Sequence, residues 1–447
     1  MQNISADQPA AGPLKIAIVG SGIAGLSAAH TLCRKHDVTL FENADYVGGH
    51  TNTIDVESSN GEIIPVDTGF IVFNNQTYPN FIRLIDQLGV ASKPTNMSFS
   101  VSDPANQMEY ASHLSGLIAR KRNLIDPRFL GMLRDKFRFD ALCKDLLNNQ
   151  PEALAELTLR EFIERHQLGE NFARWYILPM AAAVWSAPIG QVGDYPMLTL
   201  TTFLKNHGLL GVNDAPTWRV ICGGSKQYVK ALLQQYQGEL KLSTNITSIK
   251  RSKTGVDLQF IENGEKQQAK FDHVVMACHS DQALALLSDA SELEQEILGG
   301  IAYQENEAVL HTDTSLLPQR KRAYAAWNYQ LPTSDAPRAT LTYNMNRLQG
   351  IKSADTYCVT LNQTNDIDSS KIIKRIDYAH PVYNHQTVAS QARWAEISNL
   401  ASRTHFAGAY WFYGFHEDGT RSGLRVAEQF GCSLDDCEPT RTSRHVA

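Results

Sequence analysis

The sequence has little of what marks a metalloprotein, a disulfide scaffold or an integral membrane protein. Its seven cysteines form no CxxC pair and no cysteine–histidine cluster with zinc-finger spacing, so we expect no metal site and no disulfide framework. The longest nearly unbroken apolar run, at 177–185, is about half of what a bilayer-spanning helix needs. Because the N-terminus also lacks a basic start followed by an apolar stretch, we expect a soluble, cytoplasmic protein.

Blocks of like charge are also missing. The net charge of −6 is spread along 447 residues, which leaves no electrostatic footprint for nucleic acid and argues against that class of partner. Apolar residues make up 43% of the chain, a share typical of globular proteins. A chain of this length exceeds one ordinary hydrophobic core, so we expect two or three packed units.

The stretch LKIAIVGSGIAGLSAAHTL predicts a strand, a tight turn and a helix in the order that dinucleotide-binding units use. An apolar run at 16–19 precedes Gly20, Gly22 and Gly25 in GxGxxG spacing. These glycines allow the turn, the approach of a pyrophosphate and close helix packing. Glu42 ends the next apolar run, where an acid accepts hydrogen bonds from ribose hydroxyls and repels a 2′-phosphate.

A second glycine pair follows the acid closely, in LFENADYVGGHTNT. Gly48 and Gly49 bring further backbone N–H groups toward the same pyrophosphate, a contact that plain NAD-binding units do not need. With this motif the sequence resembles the flavin-dependent amine oxidase and phytoene desaturase superfamily. The same superfamily is matched by VDTGF at 66–70, by FDHVVMAC at 271–278 and by HFAGAYWFYGFHEDGTRSGLRVAEQF near the C-terminus. The resemblance covers residues 14 to about 432 and implies FAD as the cofactor.

The resemblance also implies which residues hold FAD. They are Gly20, Ser21, Gly22, Ile23, Ala24, Gly25, Glu42, Asn43, Gly48, Gly49, His50, Thr51, Thr68, Gly69, Phe70, Ile246, Cys278, Gly408, Glu417, Asp418 and Gly419. Two positions depart from the pattern. Ala409 stands where many relatives have an acid for the ribityl chain, which leaves that role to Glu417, Asp418 or a backbone group. His50 replaces a frequent arginine, so the pyrophosphate contact there is expected to be weaker or pH-dependent.

The implied architecture is the amine oxidase-like one. It combines an α/β FAD-binding Rossmann-type domain with an α+β substrate domain that contains an antiparallel sheet. The boundaries place the discontinuous FAD domain at 14–75, 217–290 and 404–432, the substrate domain at 76–216 and 291–403, and flexible polar tails at 1–13 and 433–447. Within the substrate domain the first segment is helix-like with few β-rich runs, whereas ATLTYNM and TYCVTLNQ in the second predict antiparallel strands. No second GxGxxG occurs, so a separate NAD(P)H domain is not expected.

Several longer stretches are more specific than the FAD motifs. MSFSVSD, LIARKRNLIDPRF and ILPMAAAVWSAP closely resemble a bacterial FAD-dependent oxidoreductase group related to the oxidase-like N-terminal domain of plant cyclopropane fatty acid synthases. This furan fatty acid desaturase-like group implies a lipid-metabolic enzyme. It would oxidise or isomerise an unsaturated or methyl-branched fatty acyl chain, free or in phospholipid, by hydride removal to flavin N5. A flavin amine oxidase and a non-catalytic flavin module that assists a lipid methyltransferase remain open alternatives.

The candidate catalytic residues are His416, Glu417, Tyr413 and Trp185. His416 and Glu417 lie beside the predicted flavin turn and can exchange protons, although with Asp418 they would equally serve to orient FAD. A long acyl chain also requires an apolar tunnel. The residues expected to line it are Trp185, Phe203, Leu204, Trp327, Tyr329, Tyr343, Tyr410, Trp411, Phe412, Tyr413 and Phe415. Tyr410–Tyr413 would instead form an amine cage in the amine oxidase alternative.

The segment 119–144 has eight basic residues against three acidic ones. Phe129, Leu133, Phe137 and Ala141 recur in it at helical spacing, which predicts a basic amphipathic helix. Such a helix can rest on anionic lipid at the inner membrane surface and give peripheral access to acyl chains. The alternative is a solvated basic face over an ordinary core stripe.

Overall fold

The computed structural model describes residues 12–437 except 186, 188, 212–215 and 332–339. The predicted tails at 1–11 and 438–447 lie outside these residues. The strands are β1 (Lys15–Val19), β2 (Asp37–Phe41), β3 (Thr53–Glu57), β4 (Ile63–Asp67), β5 (Phe73–Asn74), β6 (Ser92–Pro94), β7 (Phe99–Asp103), β8 (Met108–Ala111), β9 (Trp218–Ile221), β10 (Glu239–Lys241), β11 (Asn245–Ser252), β12 (Gly255–Glu262), β13 (Glu265–Phe271), β14 (His273–Met276), β15 (Tyr303–His311), β16 (Trp327–Gln330), β17 (Leu341–Asn344), β18 (Cys358–Leu361), β19 (Ile372–Pro381) and β20 (Thr404–Phe406).

The α-helices alternate with these strands in the first third of the chain and cluster at 114–206. They are α1 (Ile23–Leu32), α2 (Pro79–Gln87), α3 (Leu114–Leu117), α4 (Pro127–Asn149), α5 (Pro151–Ala155), α6 (Leu159–Arg165), α7 (Glu170–Phe172), α8 (Leu178–Trp185), α9 (Ile189–Val192), α10 (Met197–Asn206), α11 (Lys226–Gln235), α12 (Ser280–Leu286), α13 (Glu292–Gly299), α14 (Met345–Leu348), α15 (His385–Ala392), α16 (Trp394–Ile397) and α17 (His416–Gln429). Within the described residues, none of the helices combines the length and the apolar character needed to cross a membrane.

A five-stranded parallel sheet forms the first core, with the strand order β10-β2-β1-β14-β20. The strands β1, β2 and β14 are short apolar runs that are buried over nearly their full length, as expected for a parallel sheet covered on both faces. The predicted strand, turn and helix at 15–32 are confirmed, and Glu42 follows the end of β2 directly. Parallel strands from three distant parts of the chain therefore present their carboxyl ends at one edge.

Helix α1 lies between this sheet and α17, and all ten of its residues are buried. The two helices approach so closely that a Cβ on Gly423 would lie 2.2 Å from the carbonyl oxygen of Ala24. A Cβ on Gly25 would lie 1.9 Å from the carbonyl oxygen of Gly20. Close packing on both sides of α1 therefore requires glycine at these two positions.

A seven-stranded sheet forms the second layer, in the order β19-β15-β18-β17-β16-β7-β8. Strands β17 and β18 confirm the prediction for ATLTYNM and TYCVTLNQ, and their pairing is antiparallel. The segment 76–216 is mostly helical, as predicted, and its few strands include β7 and β8, which complete the sheet. Strand β7 pairs in parallel with β16, which comes from a distant part of the chain, so the formation of this strand depends on tertiary pairing.

Helices α4 to α10 form the wall beside this sheet, around a core that includes Phe139, Phe162 and Phe172. The predicted stripe on α4 is only partly right. Phe129 is buried, but Phe137 is 58% exposed and Ala141 is exposed. The buried positions are instead Phe129, Met132, Asp135, Phe139, Asp140 and Cys143. The helical period allows both stripes, and the neighbouring helices decide which one is covered.

The predicted flexible tail begins too early. Residues 434–436 form a short 3₁₀ turn, and Leu434 and Cys437 are each only 3% exposed within the first core. These two apolar side chains hold this otherwise polar part of the chain against the core. The strands of the parallel sheet and of the seven-stranded sheet fall within the segments predicted for the two domains, while the boundary residues themselves stay predictions.

His30 in α1 gives a test of this core at low pH. The side chain is fully buried, and neither ring nitrogen has a hydrogen-bond partner. Burial, and then the charge of Arg34, lowers its pKa to about 4. Because this pKa is below the unfolded value of about 6.5, His30 contributes stability above that pH and loses it as the pH falls toward the folded pKa.

We therefore expect His30→Leu to be more stable than the wild type near pH 4.5, by about 2–3 kcal/mol beyond any difference near pH 8. Urea unfolding at both pH values measures this, and the measurement at the higher pH is the internal control because wild-type His30 is neutral there in both states. A stability difference that is the same at the two pH values would contradict the assignment.

Candidate active site

A cavity of about 980 Å³ lies at the carboxyl edge of the parallel sheet and continues toward the seven-stranded sheet and the helical wall. This volume is at the upper end of the range for ligand pockets, roughly 300–1,000 Å³. Its wall contains Gly20 and Ala277, which follow β1 and β14, as well as Trp327 of β16 and Trp185 of α8. The cavity therefore spans the elements predicted for both domains.

The amino end of α1 opens onto this cavity. Gly22 is the N-cap of the helix, has no side-chain hydrogen bond to the first turn, and has open space where a Cβ would lie. No acidic residue occurs in the first turn. Gly22, Ile23 and Ala24 line the cavity, so the free N–H groups and positive dipole of the helix face an anion-sized space.

Glu42 lies beside this helix end and lines the cavity. One carboxylate oxygen accepts hydrogen bonds from the Ser21 N–H at 2.9 Å and the Ser21 hydroxyl at 2.6 Å, and the other accepts from the Ala44 N–H at 2.9 Å. The carboxylate is thus fixed in position. It retains acceptor capacity for the hydroxyls of a ribose.

The Gly48–Gly49 turn lies against the same helix end. Gly49 has a φ of +57°, and a Cβ there would lie 3.1 Å from the Cα of Gly22. Gly48 donates its N–H to the hydroxyl of Ser21 at 3.3 Å. The two glycine motifs, which are separate in the sequence, therefore form one continuous backbone surface, as the sequence predicts.

His50 continues this surface within a group of buried rings. Its ring stacks on Tyr378 at 4.6 Å and lies 5.3 Å from His380 and 6.5 Å from His279, measured between ring centroids. Burial, and then the neighbouring His380, lowers the pKa of His50 well below its usual value. His50 is therefore neutral in the free protein and stands where an always-charged arginine is frequent in the superfamily.

Most of the predicted FAD residues are brought together on the cavity wall. They are Gly20, Ser21, Gly22, Ile23, Ala24, Glu42, Asn43, Gly48, Gly49, His50, Gly69, Phe70, Ile246, Cys278 and Gly408. Six predicted residues lie behind the wall instead: Gly25, Thr51, Thr68, Glu417, Asp418 and Gly419. The space for a Cβ on Gly419 is filled by Ile23, so this glycine serves the packing of α17 on α1, like Gly25 and Gly423.

The two acids at the start of α17 have structural partners. Glu417 accepts hydrogen bonds from the Asn80 and Phe81 N–H groups at 3.1 and 2.9 Å, and so caps α2. Asp418 accepts from the Tyr413 and Phe415 N–H groups at 3.2 and 2.9 Å. Burial raises the pKa of Asp418 to about 7. The Glu417 carboxylate therefore holds another helix in place from behind the wall, and its direct role in catalysis or FAD binding stays a prediction.

His416 does reach the cavity wall. Its ring stacks on Phe70 with centroids 3.6 Å apart, and its Nε2 lies 2.9 Å from the hydroxyl of Tyr228. The Tyr228 hydroxyl is in turn hydrogen-bonded to Thr51, which explains why Thr51 lies behind the wall. Burial, and then the neighbouring His50, lowers the pKa of His416 well below its usual value. The residue is thus a neutral imidazole in a fixed orientation.

Aromatic side chains line the part of the cavity that lies away from the glycine motifs. Of the predicted tunnel residues, Trp185, Phe203, Trp327, Tyr343, Tyr410, Tyr413 and Phe415 lie on the wall. Leu204, Tyr329, Trp411 and Phe412 do not. Phe412 instead lies under the guanidinium of Arg421, 4.2 Å from ring centroid to Cζ. The Trp185 indole donates a hydrogen bond to the Tyr413 carbonyl oxygen at 3.3 Å, which joins two predicted catalytic residues.

Sequence reasoning missed other wall residues, which include Met97, Met180, His207, Tyr303 and Tyr383. They come from loops, helices and strands with no shared motif. His207 stacks on Phe203 at 3.8 Å, and burial lowers its pKa to about 4. Phe203 and His207 are four residues apart, a spacing that places two side chains on one face of a helix, and this was the sequence signal that could have predicted their contact. The remaining residues have no signal in the sequence.

These observations fit FAD. The open end of α1 and the two glycine turns suit a pyrophosphate, Glu42 suits a ribose, and Ile246 and Cys278 lie on the same wall. A Cβ on Gly69 would lie 2.2 Å from the His50 carbonyl oxygen, so the backbone there passes close to the cavity with no side chain. The residues therefore fit the pyrophosphate and a ribose of the dinucleotide.

Comparison with known structures gives the same fold at low identity. A cyclohexylamine oxidase from Brevibacterium oxydans IH-35A has a TM-score of 0.66 and 16% identity, with 94% of this chain and 100% of that chain covered. A CLA-producing fatty acid isomerase from P. acnes has a TM-score of 0.65 and 15% identity over 94% and 100% of the two chains. A wild-type putrescine oxidase bound to putrescine has a TM-score of 0.65 and 13% identity over 94% and 99%.

No curated protein sequence matches the chain. The family model for flavin containing amine oxidoreductases matches residues 23–345, which is well over half of the chain. It begins at α1 and extends through β17, so it covers the Gly48–Gly49 turn, the helical wall and most of the second sheet. The chain therefore belongs to the flavin containing amine oxidoreductase family and binds FAD.

Proposed function

We propose that the protein is an FAD-dependent oxidoreductase that acts on an unsaturated or methyl-branched fatty acyl chain. The observation that carries this proposal is the charge of the cavity wall. Among the described wall residues Glu42 is the only carboxylate, at the ribose end, and none is a lysine or arginine. A largely apolar wall with one carboxylate and no cationic side chain suits a hydrocarbon chain.

The sequence supports the same substrate class. The stretches that resemble the group related to the oxidase-like domain of plant cyclopropane fatty acid synthases include 177–188, within which Met180, Val184 and Trp185 line the cavity. A fatty acid isomerase is among the proteins with this fold. The distinguishing stretches therefore contribute side chains to the part of the site where a substrate would lie.

FAD supplies a hydride acceptor when it is bound. The chain's own residues orient the substrate and exclude water: the aromatic wall keeps an acyl chain in a dry space. Removal of a hydride next to a double bond or a branch leaves an electron-poor acyl chain, which must lose a proton to complete a desaturation. His416 is a neutral imidazole on the cavity wall and offers a proton acceptor there.

An amine substrate is the second candidate, because Tyr410 and Tyr413 both line the cavity and aromatic faces attract cations. Two observations weigh against it. The other two aromatics of the predicted cage, Trp411 and Phe412, do not reach the wall. An ammonium group in this cavity would also have no carboxylate partner on the described wall away from Glu42, and burying an unpaired charge is costly.

Anaerobic mixing of the FAD-bound protein with a substrate panel tests the proposal. We expect unsaturated or methyl-branched fatty acyl compounds to bleach the flavin absorbance, and matched primary and secondary amines to leave it unchanged. Saturated straight-chain acyl compounds of the same length are the control. Bleaching by amines alone would contradict the acyl proposal, and bleaching by nothing in the panel would favour a redox-neutral isomerase or the flavin module that assists a lipid methyltransferase.

Glu42→Gln tests the ribose contact. The substitution keeps the size of the side chain but removes its charge, and hydrogen bonds to charged groups are worth about 1.5–3 kcal/mol. We expect the affinity for FAD to fall by roughly tenfold or more, as measured by flavin fluorescence quenching on titration of the apoprotein. Asp45→Asn is the matched control, because Asp45 is an exposed acid in the same loop and lies off the cavity wall. Equal affinities for the two variants would contradict the contact.

His416→Gln tests proton acceptance. We expect the variant to retain FAD and to reduce it with an acyl substrate about 100-fold or more slowly, within the range for loss of a general base. Tyr228→Phe is the companion variant, since it removes the hydrogen bonds from the Tyr228 hydroxyl to His416 and Thr51 but keeps the imidazole, and it should have a smaller effect. Rapid anaerobic mixing measures both rates. Full reduction rates with FAD bound would exclude His416 as the proton acceptor.

A further inference from the structure

The segment 114–137 exposes an unusual amount of apolar surface. Twelve large hydrophobic side chains are exposed in the described residues, and half of them lie in this short stretch. They are Leu114 (86% exposed), Ile118, Leu124, Ile125 (79%), Leu130 and Phe137. Scattered single residues need no explanation, but a cluster of this size on one part of the surface marks an interaction site.

The backbone that carries these side chains is anchored. Residues 121–124 form a 3₁₀ turn between α3 and α4. The Asn123 side chain in this turn donates hydrogen bonds to the carbonyl oxygens of Glu109 and Leu117 at 3.0 and 3.3 Å. Asp126 caps α4 by accepting the N–H of Arg128 at 2.9 Å. The apolar side chains are therefore held outward by an ordered scaffold.

Helix α4 has two apolar faces. Phe129, Met132 and Phe139 are buried in the helical core. Leu130 and Phe137 are seven residues apart, so they lie on one outer face two turns from each other. Because the inner face already satisfies the packing of the helix, the outer apolar residues are available for another surface.

The charge around these residues is strongly positive. Residues 114–138 contain seven arginines and lysines and two aspartates, in a protein with a net charge of −6. Both aspartates pair with arginines of α4: Asp126 with Arg128, and Asp135 with Arg134 and Arg138. Lys136 pairs with Asp140, so among the described residues the cations of this segment without an ion pair are those at 120–122. Lys121 and Arg122 are exposed and form no ion pair with any described residue. The outer surface thus presents uncompensated cations beside aliphatic side chains.

We propose that 114–138 forms a docking surface for an anionic lipid bilayer, with the apolar side chains at the headgroup boundary and the cations among lipid phosphates. Basic residues near such a membrane contribute about 1 kcal/mol each, and exposed aliphatic and aromatic side chains insert at the boundary. A second copy of the chain fits this surface poorly, because in a symmetric dimer the same cationic patch would lie on both sides of the interface and the like charges would repel each other. An anionic membrane complements both the charge and the apolar content.

This surface is independent of the proposed reaction, since docking is measured without turnover. The experiment is flotation of the full-length FAD-bound protein with vesicles of phosphatidylcholine alone or mixed with phosphatidylglycerol. We expect recovery with the anionic vesicles only, and release at high salt, because screening shortens the range of the attraction.

Two variants and a matched control assign the binding to this surface. Lys121→Glu with Arg122→Glu reverses two exposed charges, and Leu124→Ser with Ile125→Ser removes two exposed apolar side chains. We expect each pair to weaken binding to anionic vesicles by about tenfold or more. The control pairs Lys374→Glu with Arg375→Glu and adds Ile373→Ser, because these three exposed residues on β19 make a similar basic and apolar group elsewhere. The control should bind like the wild type.

An unchanged flavin spectrum and unfolding midpoint show that the variants are folded. The proposal is overturned by equal recovery with neutral and anionic vesicles, by variants that bind as well as the control, or by absence of flotation. It is also overturned if sedimentation shows a dimer that the 121–125 variants abolish, because the surface would then be an interface between copies.

Discussion

The close approach of backbones at the amino end of α1 is the constraint on which the rest of the structure depends. Gly20 has a φ of +102°, and a Cβ there would lie 2.8 Å from the Ala277 carbonyl oxygen. Gly25 and Gly423 leave no room for a side chain where α1 meets the first turn and α17. Three chain segments meet here without side chains between them, so the amino end of α1 stays open to the cavity. The same close packing fixes the distance between α17 and α1. The position of His416 follows from that distance.

The two acids at the start of α17 hold other backbone segments in position and do not lie on the cavity wall themselves. Glu417 and Asp418 look like flavin ligands in the sequence, because they stand in a glycine-containing motif at a helix N-terminus. In the fold their carboxylates hold α2 and the turn 413–415. The turn carries Tyr413 and Phe415 onto the cavity wall. A buried carboxylate with raised pKa, as in Asp418, thus serves the site by fixing the backbone beside it.

The cofactor half of the site was predictable because its signals are local. A strand, a glycine turn and a helix follow one another directly in the sequence. The acid and the second glycine pair come soon after them, so their spacing alone predicts that these residues lie close together. The substrate half has no such signal. Met97, Tyr303 and Tyr383 reach the wall only because β7, β15 and the end of β19 pair within a mixed sheet, and that pairing joins distant parts of the chain. The same dependence on distant segments explains the misassigned stripe on α4. The helical period shows which residues share a face, but the packing of the neighbouring helices determines which face is buried.

Charged side chains are distributed unevenly between the cavity wall and the outer surface. On the described part of the wall no lysine or arginine is present to pair with a free carboxylate, whereas the outer surface at 114–138 has uncompensated cations. Helix α4 joins the two regions: its amino end carries the docking surface, and Asp140 accepts the N–H of Gly211 at 3.1 Å, next to the loop that brings Leu209 to the cavity. The stretch of α4 from its amino end to Asp140 spans about 20 Å of helix. The cavity wall and the proposed docking surface are therefore connected through one helix.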